Sequence, residues 1–104
     1  MIDYSCNYGT IVHTQHEAND ALAKGHDIVV DSSEHLVFNN PASMVTVAND
    51  SLITLNGGKG RAINRGRVFA NQGAQVDAFD ESMIAVDKDS RVTAHDMALV
   101  LSNE

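Results

Sequence analysis

The stretch Asn56-Gly57-Gly58-Lys59-Gly60-Arg61-Ala62-Ile63-Asn64-Arg65-Gly66-Arg67 places four cations among four glycines with no acid between them. Guanidinium groups grip carboxylates and phosphates bidentately. Lys59, Arg61, Arg65 and Arg67 therefore read as a loop or corner that meets an acidic protein surface or a nucleic-acid backbone, or as a solvated corner that neutralises the acidic strands beside it. A nucleotide-hydrolysing loop is not indicated, because Lys59 is followed by Gly60 where the phosphate-cradling motif needs Ser or Thr.

The acids fall at turn positions. If three segments complete a coil, Asp80, Asp87, Asp89 and Asp96 line up at corners as a column of carboxylates that a basic partner could read like phosphates. The plainer reading is a solubilising surface with charged edges that deter strand pairing. Asp87-Lys88-Asp89-Ser90 opens like a calcium loop but lacks the glycine and the later bidentate Glu. His13 and His16 are separated by a helix boundary at Thr14, which does not suit a shared metal. His26, His35 and His95 stand singly. Cys6 has only His13 near it in sequence as a base. No catalytic residue, metal or cofactor is expected.

These residues must be positioned by a repeat. Val68, Val76, Ile84, Val92 and Val100 recur every eight residues, with Ala70, Ala78, Val86 and Ala94 two positions further on, so both sets point to one face of short strands. Val45, Val47, Ile53 and Leu55 follow the same interval one residue out of register, and the slip falls in 56–66. The corners are Asn49-Asp50, Asn56-Gly57-Gly58, Asn71-Gln72-Gly73, Asp80-Glu81, Lys88-Asp89 and Asp96-Met97, all rich in turn formers. An antiparallel meander fits the period. A parallel β-solenoid fits it better, because the inward positions are small and the corner serines Ser43, Ser51, Ser82 and Ser90 repeat in type.

Ahead of the repeats, Thr14-Gln15-His16-Glu17 is a capping box, Ala18, Ala21 and Leu22 lie on one face, and Gly25 suits the left-handed cap. One helix is predicted over about 15–24. Ile28-Val29-Val30 reads as a strand buried on both sides, as beneath a helix, and Leu36-Val37-Phe38 repeats it before Pro41. Residues 1–9 read as a short strand or an arm. The expected architecture is one all-β domain: a strand-helix-strand cap over 1–42, then repeat coils over 43–104.

The charge is uneven along the chain. Residues 1–55 carry seven acids and one Lys, 56–73 carry only the four cations, and 74–104 carry seven acids with Lys88 and Arg91, for a net -7. An acidic body repels free nucleic acid at long range, and five aromatics without Trp give no stacking platform. Direct nucleic-acid binding is left open. With one cysteine and no long apolar run, a cytoplasmic protein without a membrane span is expected. At the far end, Met97, Leu99, Val100 and Leu101 form the most apolar stretch of the repeats, and are expected to pack on a second copy as a homodimer.

The pattern Ser82-Met83-Ile84-Ala85-Val86-Asp87 and Ser90-Arg91-Val92-Thr93-Ala94-His95-Asp96 resembles the short-repeat β-solenoid proteins of bacteriophages and other mobile elements, over roughly residues 14–102. It departs from them at Gly57 to Gly66, and it does not match the pentapeptide-repeat DNA mimics. The resemblance implies a non-enzymatic inhibitor of a host defence protein or nucleoprotein complex, in the style of anti-CRISPR proteins, in the cytoplasm of an infected cell. The alternative is a structural, self-associating solenoid module of a virion or scaffold.

Overall fold

Residues 9–102 are described by the computed structural model, so the strand or arm expected around Tyr4, Cys6 and Tyr8 lies outside the described residues. Strand β1 (Thr10–Val12) is followed by helix α1 (Gln15–Ala23), then by β2 (Ile28–Val30), β3 (His35–Asn39), β4 (Val45–Val47), β5 (Leu52–Asn56) and β6 (Lys59–Ala62). The remaining strands are β7 (Arg67–Asn71), β8 (Gln75–Ala78), β9 (Met83–Val86), β10 (Arg91–Ala94) and β11 (Leu99–Ser102).

β1 pairs in parallel with β2, and from β2 onward each strand pairs in parallel with the next but one. Sheet A runs β1-β2-β4-β6-β8-β10 and sheet B runs β3-β5-β7-β9-β11. The chain is thus a β-solenoid, and two strands with two corners complete a coil. The eight-residue period is half a coil. Alternate residues of each strand point between the sheets, and the core is their stack: Leu36, Ile53, Val68 and Ile84 from sheet B, Ile28, Val45 and Val76 from sheet A. Like residues stack at the strand spacing of about 4.8 Å.

Two edges join the sheets. Edge one carries the corners at 40–44, 57–58, 72–74 and 87–90, and edge two those at 31–34, 48–51, 63–66, 79–82 and 95–98. Left-handed residues turn the chain on both, at Asn40, Gly57 and Gln72 on edge one and at Asn49, Asn64, Asp80 and Asp96 on edge two. Asn and Asp tolerate that conformation because their short side chains bond locally.

The register slip is a property of edge one alone. Ile28 to Val45 spans 17 residues, Val45 to Gly60 15, and Gly60 to Val76 16. The long corner contains Asn40 and Pro41, and the short one beneath it is Gly57-Gly58, with φ of 80° and 75°. A Cβ on Gly58 would stand 2.8 Å from Pro41 Cδ, so the two irregular corners nest.

The coils begin before residue 43. β1, β2 and β3 belong to the same two sheets as the later strands, and α1 lies between β1 and β2, where a first strand of sheet B would stand. Its cap is built as the capping-box pattern predicts: Thr14 Oγ1 accepts from Glu17 N at 3.1 Å, and Glu17 reaches back to the amide of His13 rather than that of Thr14. Gly25 takes φ 80° after the last turn. Ala18 and Ala21 are buried in the same core cluster as Leu36 and Phe38. Val29, expected beneath the helix, is instead buried on the outward side of sheet A with Ala48 and Ile63.

Helix α1 also pairs with the sheet edge it covers. The Gln15 carboxamide accepts from Val37 N at 2.7 Å and donates to Val37 O at 3.0 Å, standing in for a neighbouring strand on β3. Each such bond contributes about 0.5–1.5 kcal/mol. Gln15→Leu should therefore lower stability by about 1–3 kcal/mol, and expose the Val37 amide to hydrogen exchange while leaving the lower coils protected.

Candidate interaction surface

The four cations do not form one patch, and 56–67 is not a loop. Lys59 and Arg61 are outward residues of strand β6, in register with Gln75 and Asp77 on sheet A. Arg65 stands on edge two, where Nε and an Nη bind the two carboxylate oxygens of Asp50 at 3.0 and 3.1 Å. Arg67 opens β7 on sheet B and donates to the Asp50 carbonyl at 3.0 Å. Gly60, between the cations, points inward at the position filled by Val45 and Val76 in neighbouring coils. Leu55 from the opposite sheet fills the space, and a Cβ on Gly60 would lie 2.8 Å from its Cδ2.

The acids do not form one ridge either. With two strands per coil, Asp80 and Asp96 stack on edge two below Asn49 and Asn64, while Asp87 and Asp89 stand on edge one. Three of these carboxylates hold backbone amides. Asp80 Oδ2 accepts from Asn64 N at 2.9 Å, Asp87 Oδ2 from Gln72 N at 3.0 Å, and Asp96 Oδ2 from Asp80 N at 3.4 Å. Each bond joins one coil to the coil before it. On edge one, Asn39, Asn56 and Asn71 continue the theme as a carboxamide ladder. Of the corner serines, Ser51 accepts from the Ser32 amide on edge two and Ser90 from the Ala74 amide on edge one.

The Gln72 amide, then the Ser90 hydroxyl and the amides of Asp89 and Ser90, hold the Asp87 carboxyl below its ordinary 3.8 despite some opposing desolvation. A depressed carboxyl contributes stability that is complete above its unfolded value and is lost as pH falls through the folded one. Stability should therefore keep falling at pH values below 3.8, and Asp87→Asn should flatten that part of the profile. Chemical denaturation at stepped acidic pH measures it.

The histidines stay apart from one another in role. His13 Nδ1 lies 2.7 Å from the Asp31 carbonyl, His35 Nε2 2.7 Å from Thr54 Oγ1, and His95 stacks on Phe79 with ring centroids 4.5 Å apart. Among the described residues no three His, Cys, Asp or Glu side chains gather around a point that could hold a metal, and no helix is long and apolar enough to cross a membrane.

A surface that the eight-residue repeat concealed lies on the outer face of sheet B. One outward column is His35, Leu52, Arg67, Met83 and Leu99, and the next is Val37, Thr54, Phe69, Ala85 and Leu101, with the His35 ring 6.0 Å from that of Phe69. Val37, Phe69, Met83, Leu99 and Leu101 are each exposed, giving an apolar strip along the solenoid. The matching columns of sheet A hold Lys59, Gln75 and Arg91, and Arg61, Asp77 and Thr93. The signal is in the sequence once every second segment is compared: the odd segments carry apolar residues at both parities, the later even segments at one.

The strip runs into the last described coil. Leu36, Ile53, Val68 and Ile84 are almost wholly enclosed, whereas Val100, next in the same inward column, is 38% exposed. Among the described residues strand β10 pairs only with β8 and β11 only with β9. Of the expected interface residues, Val100 points inward, Leu99 and Leu101 point sideways from sheet B, and Met97 sits exposed on edge two. In a parallel ladder alternate residues bond to the same neighbour. The amides of Arg91 and His95 donate to Ala74 and Ala78 of the coil above, so those of Val92 and Ala94 aim at the free side. On β11 the Leu99 amide donates to Ser82, leaving those of Val100 and Ser102 so aimed. Comparison with protein-family models, with curated proteins and with solved structures finds no match to this chain.

Proposed function

We propose that this chain is a non-catalytic β-solenoid module that works by binding protein, and that its first partner is a second copy of itself, met through the last coil. The observation that carries this reading is the exposure of Val100 in a column that is otherwise closed, beside two strands with free backbone groups. Open strand edges and uncovered apolar residues at a solenoid end require a cap or a partner. At the opposite end the sheet B side has such a cap in α1 and Gln15.

A second reading, the inhibitor of a host defence protein implied by the phage-solenoid resemblance, has its own support in the strip of Val37, Phe69 and Met83. That strip lies on the side of the coils and stays available when the ends meet. Exposed apolar positions repeated along one sheet face mark docking surfaces for protein.

Sedimentation velocity over a micromolar concentration series tests the first reading. Ala94 is exposed, and its amide faces the free edge, where Pro is tolerated. Ala94→Pro should leave the unfolding midpoint near wild type and convert a dimer to a monomer. Wild type that sediments as a monomer throughout overturns self-association. Phe69→Glu with Met83→Glu addresses the second reading: those changes should leave the dimer intact and remove retention of a defence protein from host lysate.

A further inference from the structure

We infer that the two copies meet about a two-fold axis normal to the sheets, so that β10 pairs antiparallel with its own copy, β11 with its own copy, and both sheets run unbroken through the dimer. This rests on the self-association proposed above and specifies its geometry.

Three ways of closing the end present themselves. Head-to-tail stacking would bring β11 against α1, which occupies the β3 edge through Gln15 and so denies sheet B a continuous ladder. A two-fold axis along the strands would set β10 against β11 of the other copy, and edge two against edge two. A two-fold axis normal to the sheets sets each strand against itself and each edge against the opposite edge.

Charge separates the last two. Edge two at the last coils carries Asp80, Glu81 and Asp96 with no Lys or Arg, whereas edge one carries Asp87, Lys88 and Asp89, and Arg91 opens β10 directly beside it to balance the charge. An axis along the strands faces three carboxylates with their own copies. The axis normal to the sheets faces them with the balanced edge, which places Lys88 and Arg91 towards Asp96 of the other copy. Opposite charges across an interface fix its register, and like charges facing each other disfavour it.

The backbone leads to the same axis. Val92 and Ala94 present free amides and carbonyls on β10, and Val100 and Ser102 do so on β11. Centring the axis on Thr93 pairs Val92 with Ala94 of the other copy, and the reverse, each exchanging both bonds as an antiparallel ladder requires. Centring it on Leu101 does the same for Val100 and Ser102. These two centres coincide along the strands. The chain rounds edge two between Ala94 and Val100, so these two lie at one end of their strands, Val92 and Ser102 at the other, and Thr93 and Leu101 midway between. One axis therefore serves both sheets. It also joins the apolar strips of the two copies through Leu101 and its mate.

Residues opposed on such an axis are a non-hydrogen-bonded pair with Cβ atoms about 4.5–5.5 Å apart, close to the reach of a disulfide. In a Cys6→Ser background, the Thr93→Cys and Leu101→Cys variants should each lose most of their monomer band to a disulfide-linked dimer under mild oxidation. Both positions are exposed and outward, so each fold can be checked by its unfolding midpoint beforehand. If neither single variant cross-links, while the two mixed together do, β10 meets β11 of the other copy and the inferred axis is wrong, with self-association intact. If sedimentation shows both variants and the Cys6→Ser parent to be monomers, self-association itself fails.

Discussion

Ile84→Ala should lower stability by about 2–5 kcal/mol, whereas truncating Val100 one coil further on should cost well under that in the monomer. Both residues hold the same inward place, and the repeat treats them alike. Ile84 is wholly buried between Val68 and Val100, with the opposite sheet facing it, so removing three carbons leaves a cavity that closely packed neighbours fill only in part. Among the described residues Val100 has a coil on one side only. Domains of this size are held by about 5–15 kcal/mol, so Ile84→Ala would remove a large share of the total. Urea denaturation of both variants at a concentration where the chain is monomeric makes the comparison. At higher concentration Val100→Ala should show a deficit of its own, because the dimer would enclose that position.

Gly66→Ala should destabilise by about 1–3 kcal/mol, as overpacking in a filled site does. A glycine in a flexible, solvated corner would give the opposite sign, since alanine narrows the unfolded ensemble and stabilises by about 0.4–1 kcal/mol. Gly66 shares its corner position with Ser51, Ser82 and Ala98, so alanine there also agrees with the repeat. The steric environment decides against it. A Cβ would come within 2.5 Å of Val47 O and 3.1 Å of Ile63 O, and both are backbone atoms that cannot turn away. The Gly66 amide also closes the corner on Ile63 O at 2.9 Å. A rise in the thermal midpoint of Gly66→Ala would contradict this packing.

The strand phase and the capped helix were legible because each rests on local spacing. Valines and alanines two apart must share a strand face, and Thr14 with Glu17 can satisfy a helix start without help from the rest of the chain. Two strands per coil was not legible. The positions eight apart are equivalent in the core, since both sheets bury the same parity, and only the outward residues distinguish odd segments from even ones. That difference hid the apolar strip of Val37, Phe69 and Met83. It also made Asp80, Asp87, Asp89 and Asp96 look like one column, although successive corners fall on opposite edges.

The glycine-rich basic stretch misled for a different reason. Glycine usually signals freedom, but Gly60 and Gly66 are here the small partners of Leu55 and of the Val47 carbonyl, and such complementarity appears only once the coils are stacked. Likewise Arg65 and Arg67 converge on Asp50, fifteen and seventeen residues earlier, because one coil separates them. Gln15 carries no sequence signal for its part in closing β3. Its role follows from the helix taking the place of a strand.

Hydrogen exchange across a dilution series tests the open end most directly. If two copies join at their last coils, the amides of Val92, Ala94, Val100 and Ser102 should exchange quickly in dilute solution and slow as concentration rises, while those of α1 and β5 stay constant. Exchange at those four amides that is fast and indifferent to concentration would contradict it.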